Sequence, residues 1–227
     1  MFFLATDTSG KNGIVALARA DERATPSEVT IIETVPLAGG TFSAQLVPQI
    51  AALLAKHNLS KADLAAFIVV SGPGSFTGLR VGLAAIKALA EVLRKPIVPI
   101  SLLEATALAA HKLGKIAAAL DAGRGDVYFG SYEIAANSTH VLQEQLFSKP
   151  EFLSAARELT LATPDLALVT AASEANLDVL TVEPAGAAAI ARLGWNKLKS
   201  GHTASPEQLE ANYMRRSDAE LFMKKSS

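Results

Sequence analysis

Two β-β-β-α-β runs in succession predict that this chain of 227 residues is an α/β protein of two related lobes, each a mixed sheet flanked by helices. Three observations carry the prediction. Each half opens on an apolar strand that ends in an aspartate, Asp7 or Asp121, then turns through polar, glycine-bearing residues and returns as an alternating strand. A third strand, a helix and a fourth strand follow in the same order in both halves. Half of all residues are hydrophobic and 19% are charged, so two cores can be filled.

The elements follow from local pattern. Residues 2–6 are an apolar run too short for a helix, 14–19 return antiparallel across the turn 7–13, and 29–35 supply a third strand. Residues 43–57 set Leu46, Ile50, Leu53 and Leu54 at helical spacing. The strand 66–70 pours into a glycine and proline turn, and the helix 77–93 follows. It ends before Pro96, because the residue ahead of a proline is pushed out of helical geometry. Residues 97–100 form a short strand, and Ser101 with Glu104 three residues on is a capping signature that opens another helix. In the second half 117–120 and 127–132 pair across the turn 122–126, 141–147 is a third strand, 150–158 a helix, 166–170 a fourth strand and 184–199 a helix closed near Gly201. The result is two ribonuclease-H-like lobes over 1–106 and 107–204, with a tail 205–227 that packs back on the first lobe and frays where it turns polar and basic from Ser217.

Composition narrows the function. A formal net charge of −1 offers no broad basic field for tight unaided nucleic-acid binding. Cysteine is absent, which removes disulfides, thiolate nucleophiles and thiolate metal sites and fits a reducing compartment. The apolar start reaches Asp7 too soon for a signal-peptide core, and no apolar stretch attains the ~18 residues of a membrane span. The expected location is cytoplasmic, with no membrane contact.

The turn Gly72-Pro73-Gly74-Ser75-Phe76-Thr77-Gly78, followed by Leu79 and Arg80, carries the most information. A glycine-lined approach to a helix start can seat an anion, and it can equally serve the fold by letting backbones pack closely. No Gly-Lys-Ser/Thr ending supplies Walker chemistry. Ser75 lacks the flanking glycines of a hydrolase elbow, so it reads as a turn or capping hydroxyl, with Thr77 as a second candidate cap. His57, His111, His140 and His202 are scattered, with no pair at i, i+4, so no metal site is expected.

The helix after this turn is apolar on two sides. Leu79, Leu83, Ile86 and Ala90 form a core face, and Val81, Ala85, Ala88 and Val92 form a second strip, which must be buried in the fold or against a partner. The preceding helix adds an alanine surface of Ala44, Ala51, Ala52 and Ala55. A helix-pair interface through these residues is the expectation. A nucleotide-dependent kinase or ATPase using Asp7 and Asp121 across a cleft is the rival, but the Gly-Gly turn such enzymes place late in the chain occurs here only at Gly39-Gly40.

The run from Gly72 to Arg80, with Asp7-Thr8-Ser9 upstream and Asp121-Ala122-Gly123-Arg124-Gly125-Asp126-Val127-Tyr128 downstream, resembles the TsaB (YeaZ) family of bacterial tRNA threonylcarbamoyladenosine biosynthesis. The similarity runs in order from Leu4 to about Tyr132, with a weaker echo at Tyr213-Met214-Arg215. Phe42-Ser43 stands where the family has His-Ser, and Gly123 stands at the first arginine of its Asp-Ala-Arg-Arg-Gly. The resemblance implies a two-lobed actin-like (ASKHA) fold that has lost catalysis, needs no cofactor and keeps Asp7 and Asp121 as vestigial nucleotide-site positions. It implies a scaffold that pairs with the catalytic subunit TsaD, with the ATPase TsaE joining them. Such a scaffold reaches tRNA only through its partners, and a homodimer competes for the same helices.

Overall fold

In a computed structural model, the chain from Met1 to Met214, Asn137 excepted, is described. Arg215 and the expected fraying tail from Ser217 lie outside the described residues. Contacts group the chain into two units. The first comprises Met1–Ser101 with Ala185–Asn212, and the second Leu102–Pro184 with Tyr213 and Met214. The units are therefore not the contiguous stretches 1–106 and 107–204, because the last helix of each half counts with the other unit.

The first unit holds a five-stranded sheet of β1 (Phe2–Asp7), β2 (Gly13–Arg19), β3 (Thr30–Leu37), β4 (Leu64–Gly72) and β5 (Ile97–Ser101), in the order β3-β2-β1-β4-β5. β1 pairs antiparallel with β2 and parallel with β4. α1 (Phe42–Lys56) and α2 (Phe76–Leu93) cover one face, where Leu4, Val15, Leu17, Phe67 and Val69 meet Leu46, Ile50, Leu53, Leu79, Leu83 and Ile86. α6 (Ala187–Lys199) packs on the same sheet. Its Trp195 ring stacks on Phe3 with centroids 5.7 Å apart, and the indole N–H donates to the carbonyl of Ala24 at 2.9 Å. The chain then continues along this unit: Ala204 bridges Ile97, Leu209 is buried in the first core, and the N–H of Asn212 donates to the carbonyl of Ser71 at 2.7 Å.

The second unit repeats the plan. β6 (Gly114–Gly123), β7 (Asp126–Ile134), β8 (Thr139–Ser148), β9 (Thr160–Thr163) and β10 (Val179–Thr181) lie in the order β10-β9-β6-β7-β8, which is the first sheet's order read from the other end. α4 (Lys149–Ala155), with its C-cap Ala156, and α5 (Leu166–Glu174) supply Phe152, Ala156, Leu168 and Ala172 to one core, and α3 (Leu102–Leu108) supplies Leu103 and Ala107 to another. The duplicated grammar is thus a duplicated topology.

Several strands run two or three residues beyond the sequence reading, and three differences concern helices of the second half. Residues 166–170, expected as a strand, begin helix α5, and the fourth strand is the four-residue β9 just before it. Leu-Ala-Leu-Val-Thr reads as a strand by composition, yet the residues it buries are Leu168, Ala171 and Ala172, at helical spacing. α4 stops at Ala155 rather than residue 158, and Glu158 takes a left-handed φ of 67° in the turn beyond. α6 starts at Ala187, with Gly186 at its N-cap position, rather than at Pro184.

Candidate functional site

The glycine turn closes on the first hairpin. Ser75 is the N-cap of α2 and its hydroxyl accepts the N–H of Gly78 at 3.3 Å; Thr77 lies inside the helix and is not the cap. The N–H of Ser75 donates to the carbonyl of Ser9 at 2.7 Å. A side chain at Gly74 would overlap the Ser9 backbone, with Ser9 Cβ 2.7 Å from its Cβ. One at Gly78 would overlap the Thr8 carbonyl, and one at Gly82 the Thr8 hydroxyl. Three glycines four residues apart therefore form the face on which the β1–β2 turn lies. Buried Thr8 completes the contact, its hydroxyl donating to the Gly78 carbonyl at 2.8 Å. Of the two readings of the turn, the structure carries the fold-serving one: the glycines admit Thr8 and Ser9 of the same chain. The peptide between Gly72 and Pro73 is cis.

Asp7 and Asp121 stand at matching places in their own sheets, Asp7 opposite Ile14 and Asp121 opposite Val127. Each carboxylate accepts the N–H two residues on, from Ser9 at 2.7 Å and from Gly123 at 2.9 Å. Asp7 also accepts the Ser9 hydroxyl at 2.6 Å. Burial pushes the Asp7 carboxyl above its ordinary value, against the opposing pull of these Ser9 bonds. Exposed Asp121 receives its own N–H support from Asp165, whose carboxylate accepts that amide at 2.7 Å. The same aspartate device thus turns both hairpins, which is a structural use for both residues.

The helix faces are where the sequence signal and the geometry meet. Leu79, Leu83, Ile86 and Ala90 of α2 are buried in the first core. Val81 and Ala85 are half-buried, Ala88 is exposed and Val92 is 80% exposed. At about 100° per residue these four share one side of the helix, of which Val81 and Ala85 still pack against the first core while Ala88 and Val92 reach solvent. On α1, Ala44, Ala51 and Ala55 are exposed, and Val47, 46% exposed, joins them. Val47 was missed in the sequence although its i+3 spacing from Ala44 marks the same face. α1 and α2 pack against each other, so the two outer faces adjoin. Glu33 of β3 fastens the end of α1 by accepting from Lys56 at 2.7 Å and pairing with His57 at 2.8 Å, and those bonds hold its carboxyl below the usual range. At the other edge of α2 the Arg80 guanidinium lies over the Phe76 ring, 3.6 Å from its centroid.

Among the described residues no group of three or more His, Asp or Glu side chains is placed to hold a metal ion, and no helix is long and apolar enough to cross a membrane.

Comparison with known proteins gives this geometry a family. Residues 36–211 match the family model "TsaD: tRNA N6-adenosine threonylcarbamoyltransferase". The chain is similar to the tRNA threonylcarbamoyladenosine biosynthesis protein TsaB of Bacillus subtilis, 36% identical over 134 residues that cover 59% of this chain and 56% of that protein. It is 37% identical to the TsaB of Haemophilus influenzae over 129 residues, 56% of this chain and 51% of that one. The alignments thus span about half the length of these relatives. Among solved structures, YeaZ from Pseudomonas aeruginosa superposes with a TM-score of 0.70 at 20% identity, covering 92% of this chain and 99% of the other. The likeness is one of fold: two ribonuclease-H-like units of the actin-like class. The chain belongs to the family of the threonylcarbamoyltransferase model and, within it, to the TsaB/YeaZ branch of tRNA threonylcarbamoyladenosine biosynthesis.

Proposed function

We propose that this chain is a noncatalytic scaffold subunit that binds TsaD and activates it for threonylcarbamoyl transfer to adenosine of tRNA. The observation that supports this most is the apolar strip of α1 and α2: exposed Ala44, Ala51 and Ala55, and on α2 half-buried Val81 and Ala85 running into exposed Ala88 and Val92. Binding there stabilises a transferase conformation competent for transfer, by as much as the two conformations differ in affinity for the scaffold. TsaE joins the pair in a larger complex, all in the cytoplasm. A homodimer through the same helices competes with the heterodimer. The net charge of −1 leaves tRNA contact to the partners.

The rival, a kinase or ATPase working through Asp7 and Asp121, asks those carboxylates to meet metal and phosphate, whereas both are engaged in turning their hairpins. Calorimetry of the chain with ATP and magnesium separates the two: micromolar binding with turnover supports the rival, no heat the scaffold. The direct test of the scaffold is light scattering of the chain mixed with TsaD. Val81→Asp or Ala88→Asp should leave the monomer folded and weaken the complex by over about 100-fold, because an unpaired carboxylate in an apolar contact costs about 3 kcal/mol or more. Undiminished binding by both variants contradicts the interface.

A further inference from the structure

We propose that Thr8 is a positioning residue for the docking helix: seated between Gly78 and Gly82, it sets the rotation and height of α2 and so the presentation of Val81, Ala85, Ala88 and Val92. The inference rests on the scaffold reading for what docks, and on the geometry alone for the seating.

Four contacts converge on the seat. The Thr8 hydroxyl donates to the Gly78 carbonyl at 2.8 Å, which ties a side chain from the β1–β2 turn to a helix carbonyl. A Cβ at Gly82 would fall on that hydroxyl and 3.2 Å from Thr8 Cγ2, so the missing side chain is the space Thr8 fills. A Cβ at Gly78 would overlap the Thr8 carbonyl. The N–H of Ser75 holds the helix start to Ser9 at 2.7 Å. Thr8 and Ser9 are both buried, and Asp7 fixes their turn by accepting the Ser9 N–H and hydroxyl. Beside the core packing of Leu79, Leu83 and Ile86, the helix thus has one close seat in which its own backbone meets Thr8 and Ser9.

The glycine face and the docking strip lie less than a quarter turn apart on α2, at about 100° per residue. A helix with its side chains is about 10–12 Å across, so a rotation of ~20° at the seat swings the strip by ~2 Å. Interfaces packed as tightly as protein interiors lose complementarity over such a distance. Thr8→Val keeps the shape of the side chain but puts a methyl where the hydroxyl stands 2.8 Å from the Gly78 oxygen. Carbon and oxygen do not approach that closely without a bond, so α2 must shift. Thr8→Ser keeps the hydroxyl and should keep the setting.

The test titrates full-length chain against TsaD by calorimetry, at a temperature where circular dichroism shows every variant folded. Thr8→Val should bind about tenfold more weakly, Thr8→Ser within about threefold of the parent, and Leu161→Ala, a core truncation in the second unit, like the parent. Thr8→Val binding at parental strength overturns the proposal, as does equal weakening by Leu161→Ala, which would make the effect one of stability. Val81→Asp tells this failure from that of the scaffold reading, since it must abolish binding whatever Thr8 does. If Val81→Asp binds normally, amide exchange over residues 78–83 of the isolated chain decides the seating: faster in Thr8→Val and not in Thr8→Ser supports it, and no difference overturns it.

Discussion

The backbone N–H of Ser75 donates to the carbonyl of Ser9 across 2.7 Å, so an amide at the start of α2 is satisfied by the first hairpin of the same chain. That bond explains why a glycine turn shaped like an anion cradle serves the fold. The turn lets α2 come close enough for its backbone to meet Thr8 and Ser9, and Ala88 and Val92 on the helix remain exposed.

Loss of the Ser75 cap should be felt as stability. Ser75→Ala removes the acceptor for the Gly78 N–H and is expected to cost about 1 kcal/mol. Urea unfolding measures it, and a midpoint equal to that of the parent would show that the cap bond contributes nothing.

The single tryptophan gives a direct reporter of the first unit. Trp195 is fully buried, stacks on Phe3 and donates to Ala24. Trp195→Ala should cost about 3–5 kcal/mol through the cavity it leaves. Trp195→Phe should cost less, keeping ring packing while leaving the Ala24 carbonyl without its indole donor. Both are read by circular dichroism in urea, with the parent followed in parallel by indole fluorescence.

Asp7 predicts a pH dependence of definite sign. Burial raises its pKa above the ordinary 3.8, so the folded state binds this proton more tightly than the unfolded state. The stability contributed by that proton is fully present below the ordinary value and is lost as pH rises through the raised one. Asp7→Asn cannot ionise, so it should gain on the parent as pH rises from about 4 and then hold a constant advantage. Urea midpoints of the two proteins across this range check the sign. A parent that gains on Asp7→Asn with rising pH contradicts it.

Much of this was legible in the chain. The strand, aspartate, turn and return strand at Asp7 and again at Asp121 disclosed the duplication, and the 3.6-residue spacing of Leu79, Leu83, Ile86 and Ala90 disclosed the core face of α2. The short strands were not legible. β9 and β10 span four and three residues, too few for periodicity to tell from loop, and the apolar start of α5 took the strand's place. Nor was the role of Thr8, because a hydroxyl in a hairpin gives no sign of the helix 70 residues away that it meets. The glycines at 78 and 82 were the only mark of that contact, and they are intelligible once the neighbour is known.

The contact between Thr8 and Gly82 also predicts non-additivity. Gly82→Ala should be severe alone, because its methyl falls on the Thr8 hydroxyl. Thr8→Ala removes that hydroxyl, so the double variant should be more stable than Gly82→Ala by about 1 kcal/mol or more. A double variant as unstable as the sum of the two singles would place the clash elsewhere.

On the scaffold reading, an apolar helix face of this chain activates a tRNA-modifying transferase. Reconstituted threonylcarbamoyl transfer to tRNA by TsaD and TsaE, with its activated donor supplied, measures this most directly, with the chain present, absent or carrying Val81→Asp. Modification should proceed with the parent chain and fall to little without it or with Val81→Asp. Equal modification in all three reactions would contradict that reading.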